Sequence, residues 1–216
     1  MSAPEPLRKH TAVAWLQRPL AGVWLRSRAM VSVPQKIDGP ILIEPVVHSD
    51  SRGFFVETFR QSRLAELGVP EGSQFIQDNQ SRSRRGVVRG MHLQVGDGVV
   101  KLVRCARGAI VDVVVDVRRG SPTYGEWAAF ELSDANHHQL LVPIGFGHGF
   151  CVVSEVADVI YKQTTYYDAE LERGFAYDDP DVGIGWPLPA DELIPSERDA
   201  AAPLLRELAD ELPFTY

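Results

Sequence analysis

The chain has 216 residues, 44% of them hydrophobic and 24% charged, the proportions of a single soluble globular domain with a substantial core. Its 22 basic and 29 acidic residues leave a net charge of −7, which excludes a nucleic-acid binder working through bulk positive charge. No apolar run approaches the ~20 residues of a membrane span. The two cysteines, Cys105 and Cys151, stand in apolar contexts outside any CxxC or zinc spacing, so a disulfide scaffold is excluded and a reducing cytoplasm is the natural home.

Taken in chain order, residues 1–35 carry Arg8, Lys9, Arg18, Arg26 and Arg28 against Glu5, a local charge of +4, leaving 17 basic and 28 acidic residues (−11) for the remainder. An acid-poor, arginine-containing leader resembles a targeting peptide, but Arg18-Pro19 interrupts the apolar stretch and no small-residue cleavage site follows. The expectation is an extension outside the core, with Met30 an alternative start. From Gly39 onward the texture is of short apolar runs between turn residues: Ile41–Ile43, Phe75-Ile76, Val99–Arg104, Ala109–Val117, Ala128–Leu132, Leu140–Val142, Phe150–Val153 and Val159–Tyr161. In Ile110–Val117 the odd-numbered valines alternate with Asp112, Val114 and Asp116, the period of a strand. Breakers such as Arg119-Gly120-Ser121-Pro122 and Pro143-Ile144-Gly145 recur at the spacing of antiparallel sandwiches. Gln61–Leu67 reads as a short helix stopped by Gly68, and Ser196–Leu212 as a turn broken at Pro203 followed by a helix burying Leu204, Leu205 and Leu208. The pattern predicts an all-β sandwich or jelly roll with short helices, mainly C-terminal, over residues 36–216.

The polar residues that do not belong in a plain β core fall into a few segments. These are Arg52-Gly53-Phe54-Phe55-Val56-Glu57, Gln77-Asp78-Asn79, Arg89-Gly90-Met91-His92-Leu93-Gln94, Lys101, Pro143–Phe150 with His148, Tyr161 and Arg198-Asp199. Taken singly, each has a plain structural reading. Arg52 and Glu57 suit surface ion pairs, Asp78 and Asn79 suit turn caps, Lys101 suits a solvent-facing strand position, and Ser196-x-x-Asp199 suits a helix cap. His92 and His148 also raise a metal site, because Pro143-x-Gly145-x-x-His148 matches the second motif of metal-binding cupins. The first motif needs a second histidine two residues after His92, where Gln94 stands, and two histidines alone fall short of the three or four ligands of a stable site.

Read together, the segments resemble one family. Arg-Gly-Phe-Phe-x-Glu, Gln-Asp-Asn, Arg-Gly-Met-His-x-Gln, Lys-Leu-Val-Arg-Cys, Ser-Pro-Thr-Tyr-Gly, Pro-x-Gly-Phe-x-His-Gly-Phe, Tyr-Lys-x-x-x-Tyr-Tyr and Trp-Pro follow in the order of the dTDP-4-dehydrorhamnose 3,5-epimerase family, from about Gly39 to Leu205. The resemblance implies a cupin-type jelly roll, a homodimer and no metal or other cofactor. The implied substrate is a dTDP-4-keto-6-deoxyhexose, epimerised at C3 and C5. It implies His92 as base with Asp199 behind it, Lys101 facing the developing oxyanion at O4, and Tyr161 as acid on the opposite face. A histidine suits the first task because its ordinary pKa of about 6.5 lies near working pH. Arg52, Glu57, Gln77, Asn79, Arg89, His148, Glu172 and Arg198 match positions that contact the nucleotide sugar, and Tyr167 matches the tyrosine that stacks on thymine. Arginines suit a diphosphate because the guanidinium fork pairs with two oxygens.

The chain departs from the family pattern in three places. Arg198 stands where lysine is common, the loop over residues 95–100 is slightly shortened and lacks a glutamine near Lys101, and residues 1–35 have no counterpart. No catalytic group is lost. Two other readings stand beside the double epimerase: a single-carbon epimerase of a deoxysugar pathway, and a non-catalytic sugar-nucleotide-binding cupin. A metal-dependent cupin oxygenase or isomerase is the remaining alternative.

Overall fold

The computed structural model describes residues 31–33, 37–63, 69 and 73–216. Residues 1–30, Met30 among them, and residues 64–67 of the expected short helix lie outside them, while Val31–Val33 of the leader form an edge strand; Gln61–Arg63 form a single 3₁₀ turn. Thirteen strands are present among the described residues: β1 (Val31–Val33), β2 (Ile41–Glu44), β3 (Val47–Asp50), β4 (Gly53–Val56), β5 (Gln77–Arg84), β6 (Val88–Gln94), β7 (Lys101–Arg107), β8 (Ala109–Asp116), β9 (Trp127–Ser133), β10 (Gln139–Val142), β11 (Phe146–Val152), β12 (Val156–Gln163) and β13 (Glu172–Gly174). Two one-turn helices, α1 (Glu197–Ala200) and α2 (Leu205–Leu208), close the chain.

All named strand pairs are antiparallel. One sheet has the order β1-β2-β10-β7-β12-β5, a second has β13-β6-β11-β8-β9, and β3-β4 form a separate hairpin. The two sheets face each other as a jelly-roll sandwich. Alternation decides what each strand sends inward. Val103, Cys105, Leu140, Val142, Ala157 and Val159 of the first sheet meet Ile110, Val114, Phe130, Leu132, Phe146, Phe150 and Val152 of the second in one buried cluster. The opposite face of the second sheet, carrying Met91, Leu93, Val113 and Val115, is covered by the C-terminal segment through Leu205, Leu208, Leu212 and Phe214. Because both faces are covered, the strand β8 is buried almost throughout, and Asp112 and Asp116 are as inaccessible as the valines between them.

Two expectations are corrected. Phe75-Ile76 precede a strand rather than form one; the strand is the polar segment Gln77–Arg84, at the edge of the first sheet. The C-terminal helix is only one turn, and Leu204 is its cap, partly exposed, while Leu205 and Leu208 are buried. The Ser-Pro-Thr-Tyr-Gly segment proves structural. The Ser121 and Thr123 hydroxyls donate to buried Asp116 at 2.6 and 2.7 Å, and Arg118 adds bonds of 2.9 and 2.8 Å. The Arg118 guanidinium lies over the rings of Phe146 and Tyr216, at 4.6 and 4.9 Å, so this corner ties the chain's last residues to the sandwich.

Candidate active site

At one end of the sandwich the inward positions stop being apolar. On β5, alternation turns Gln77, Asn79, Ser81 and Ser83 inward and leaves Asp78, Gln80, Arg82 and Arg84 exposed. Lys101 continues the inward row of Val103 and Cys105 on β7, and Tyr161 that of Ala157 and Val159 on β12. On the facing sheet His92 and Gln94 lie opposite in sense to Met91 and Leu93, His148 falls between Phe146 and Phe150, and Asp112 falls between Ile110 and Val114. Between the two polar rows lies a cavity of about 430 Å³ lined by His92, Lys101, His148, Tyr161, Arg89, Arg198 and Asp199, with Phe150 and Val88 at its apolar side.

Strand register places His92 directly opposite His148. Each imidazole has its own carboxylate. His92 Nε2 lies 2.7 Å from Asp199 Oδ1, and His148 Nε2 lies 3.0 Å from both oxygens of Asp112. Asp199 is brought in by α1, where Ser196 Oγ accepts the Asp199 N–H at 3.1 Å. The predicted cap is therefore present, but the Asp199 carboxylate turns to His92 instead of closing the capping box. Burial acts to raise the Asp199 pKa; hydrogen bonds with His92 and Ser196 and from the Gly90 N–H outweigh it, holding the carboxyl below its ordinary 3.8. With Asp199 accepting at Nε2, the His92 nitrogen left to take a proton is Nδ1.

Lys101 and Tyr161 come from the opposite sheet. Burial pushes the Lys101 ammonium down to about 8, against the opposing pull of Glu172 and Asp112. Burial pushes the Tyr161 phenol above its ordinary 10, helped by the negative charge of Glu172 and opposed by Arg89. The phenol is thus a neutral proton holder at physiological pH. The glycines beside the histidines allow β6 and β11 to approach closely: a Cβ on Gly90 would lie 2.6 Å from Gly149 Cα.

Of the remaining predicted residues, Arg89 and Arg198 line the cavity, and a chain of hydrogen bonds runs from Arg198 through Glu172, Tyr167 and Gln77 to Asn79 at its rim. Arg198 Nη1 donates to Glu172 Oε2 at 2.5 Å, and the Tyr167 phenol donates to the same oxygen at 2.9 Å. The Tyr167 N–H donates to Gln77 Oε1 at 2.9 Å, and Gln77 Nε2 donates to Asn79 Oδ1 at 3.0 Å. Arg89 Nε donates to Ser83 Oγ at 3.1 Å. Arg52 and Glu57 are not brought to this cavity. They flank Phe54 and Phe55 on the β3–β4 hairpin, where Arg52 pairs with Asp50 and Glu57 with Arg60, and Arg52 lines a separate concavity with His48 and the two phenylalanines. Sequence reasoning missed Asp112 and Gln163. Asp112 stood out only as a carboxylate inside a valine run, and Gln163 carried no signal. Among the described residues no group of three or more His, Cys, Asp or Glu is arranged to hold a metal ion.

Comparison with known proteins meets this geometry from the other side. The family model described as dTDP-4-dehydrorhamnose 3,5-epimerase matches residues 34–207. The dTDP-4-dehydrorhamnose 3,5-epimerase of Methanothermobacter thermautotrophicus is 47% identical over 176 residues, covering 81% of this chain and 94% of its own. A dTDP-4-dehydrorhamnose 3-epimerase of Streptomyces niveus is 41% identical over 179 residues, 82% of this chain and 84% of its own. Among solved structures, the dTDP-6-deoxy-D-glucose-3,5-epimerase of Legionella pneumophila, in complex with dTDP-4-keto-L-rhamnose, superposes with a TM-score of 0.82 at 44% identity, covering 87% of this chain and 99% of that one. With its jelly-roll sandwich and its His92–Asp199 pair set against Lys101 and Tyr161, the chain belongs to the dTDP-4-dehydrorhamnose 3,5-epimerase family.

Proposed function

We propose that the protein is a dTDP-4-dehydrorhamnose 3,5-epimerase, converting dTDP-4-dehydro-6-deoxy-D-glucose to dTDP-4-dehydro-L-rhamnose without a cofactor. The observation that carries the reading is the His92–Asp199 pair at 2.7 Å in a cavity shared with Lys101 and Tyr161. The C4 ketone acidifies the hydrogens on C3 and C5. His92 Nδ1 takes one of these protons, the C–H electron pair moves into an enolate, and the charge collects on O4 against the Lys101 ammonium. Tyr161 returns a proton to carbon from the opposite face, which inverts the centre; its phenolate is then reprotonated from solvent, and His92 releases the proton it took. Asp199 holds the imidazole in the tautomer with its lone pair on Nδ1 and stabilises the imidazolium. Arg89 and Arg198 face the diphosphate, Tyr167 stacks on thymine, and Gln77, Asn79, Glu172 and His148 complete the nucleotide-sugar contacts.

The test is proton NMR of dTDP-4-keto-6-deoxyglucose in deuterated water without added metal, with the product trapped by a reductase. Deuterium at both C3 and C5 with inversion supports the double epimerase. Exchange at one carbon moves the protein to the single-carbon class, to which the Streptomyces niveus relative belongs by name. No exchange leaves a sugar-nucleotide-binding cupin.

Three further readings go with this function. Residues 36–216 are the catalytic domain and residues 1–35 an extension, of which Val31–Val33 add an edge strand to the first sheet, in keeping with a family match that starts at residue 34. The enzyme works in a reducing cytoplasm, as its two buried free thiols suit; among the described residues, no helix is long and apolar enough to cross a membrane. It acts as a homodimer in which the β3–β4 hairpin of one copy, with Arg52 and Glu57, reaches the cavity of the other.

A further inference from the structure

The segment between β12 and β13 carries Tyr167, and apolar packing does not hold it: Tyr166 and Tyr167 are 69% and 53% exposed. Glutamines hold it instead. Gln94, the last residue of β6 and nearly fully buried, donates from Nε2 to Thr165 Oγ1 at 3.1 Å and to the Tyr166 carbonyl at 3.3 Å. Its Oε1 accepts the Asp168 N–H at 3.4 Å. One side-chain amide thus spans the loop on both sides of Tyr167, using its donor and acceptor ends together. Gln163 Nε2 adds a bond to the Thr165 carbonyl at 2.9 Å, and Gln77 takes the Tyr167 N–H.

Strand pairing connects this clamp to the rest of the rim. Gln94 sits directly opposite Glu172 in the β6–β13 register, and the Glu172 carboxylate receives both the Tyr167 phenol and Arg198. The end of β6 therefore fixes the backbone of the loop through Gln94, and the facing position of β13 fixes the tyrosine ring through Glu172. An exposed aromatic on a free loop would lose conformational entropy each time it met a base; a loop already bonded into place does not.

We propose that Gln94 is a positioning residue for nucleotide recognition, pre-organising the Thr165–Asp168 segment so that Tyr167 presents its ring to the base of a nucleoside-diphosphate sugar. This rests on reading the cavity as a dTDP-sugar site. Gln94 is not among the residues that line the cavity of His92, Lys101 and Tyr161 and acts through the loop, so its removal is felt in binding rather than in proton transfer.

The test measures dTDP binding by calorimetry and steady-state turnover of dTDP-4-keto-6-deoxyglucose for the full chain, Gln94→Ala and Thr165→Val. Gln94→Ala is expected to weaken dTDP about tenfold and to raise KM in parallel, while kcat stays within about twofold. Thr165→Val, which removes one of the three bonds, is expected to weaken dTDP about two- to threefold with an unchanged melting temperature. A folded Gln94→Ala that binds dTDP as the wild type does, or that loses kcat with dTDP affinity intact, overturns the proposal. If Gln94→Ala does not fold, Thr165→Val decides, and wild-type affinity in that variant overturns it. A wild-type chain that binds no dTDP overturns the underlying dTDP-sugar reading, an outcome distinct from failure of the clamp alone.

Discussion

Asp199 and Lys101 show how single residues acquire chemistry from what surrounds them. Asp199 sits in a one-turn helix too short to persist alone, started by Ser196 and pinned through its own carboxylate to His92 and the Gly90 N–H. Asp199→Asn keeps the size but offers an amide where an acceptor is needed, so the imidazole loses the partner that fixes its tautomer. Turnover is expected to fall by roughly 10²–10⁴-fold with little change in dTDP affinity, measured by steady-state kinetics and calorimetry. Undiminished kcat would refute the pairing's role. Lys101 is expected to set the alkaline side of the pH profile. Its ammonium, lowered by burial to about 8, carries charge below that pH and loses it above. Tyr161 is pushed upward and stays protonated across the same range, and Asp199 is pushed downward and stays ionised, so neither supplies this limb. Free-enzyme kcat/KM is therefore expected to decline about tenfold per pH unit above about 8. Lys101→Arg, whose guanidinium stays charged, should lose the limb at a lower absolute rate. A limb that persists unchanged in Lys101→Arg would sink the assignment.

At the scale of elements, the short β6–β13 ladder deserves its place beside the longer strands because it sets His92. Gly174 lies opposite His92, and a Cβ there would stand 3.1 Å from the Met91 carbonyl and 3.3 Å from His92 Cδ2. Gly174→Ala is expected to shift the imidazole by a few tenths of an ångström. The kcat should fall roughly tenfold, inside the ~10²-fold that a 1 Å misplacement costs, with dTDP affinity nearly constant. Wild-type kcat in a folded variant would show that the ring has room to spare. The elements also explain what was legible in sequence. The strand β8 was readable because valines recur with period two, and β9 and β10 because their runs are apolar. The strand β5 was not, because its inward residues are polar, Ser81 lining the cavity and Gln77, Asn79 and Ser83 hydrogen-bonding, so they make a strand look like a turn. Asp112 was hidden by the opposite confusion: a carboxylate at an alternate strand position reads as solvent-facing, yet it is buried against His148. Alternation tells which residues share a face and not whether that face meets water, core or ligand. The His92–Asp199 pairing spans distant segments, so no local pattern shows it; only the resemblance carried by the order of motifs implied it.

At the scale of the whole molecule, the β3–β4 hairpin belongs to neither sheet, and a lone two-stranded hairpin is marginal in water. A ring contact of 4.5 Å between Phe54 and His137 anchors it, yet Phe54 and Phe55 remain 60% and 69% exposed. Fully burying a phenylalanine contributes about 1.5–3 kcal/mol, so covering this pair is a substantial drive toward a second copy. Arg52 and Glu57 bracket the two rings, stand apart from the cavity of their own chain, and are by family resemblance expected to contact the nucleotide sugar. A two-fold dimer in which each hairpin reaches the other copy's cavity would account for both placements and for that expectation. Complementation tests it. His92→Ala disables a cavity and leaves its hairpin intact; Arg52→Ala does the reverse. Each variant alone should be weak. Co-expressed, half the dimers would be mixed, each with one intact cavity served by one intact hairpin, so activity should recover to about a quarter of wild type. Recovery is the expected outcome, with a dimer mass by ultracentrifugation. A mixture no more active than the better of its two variants would mean that each site is built from one chain, and that the hairpin's aromatic face serves another purpose.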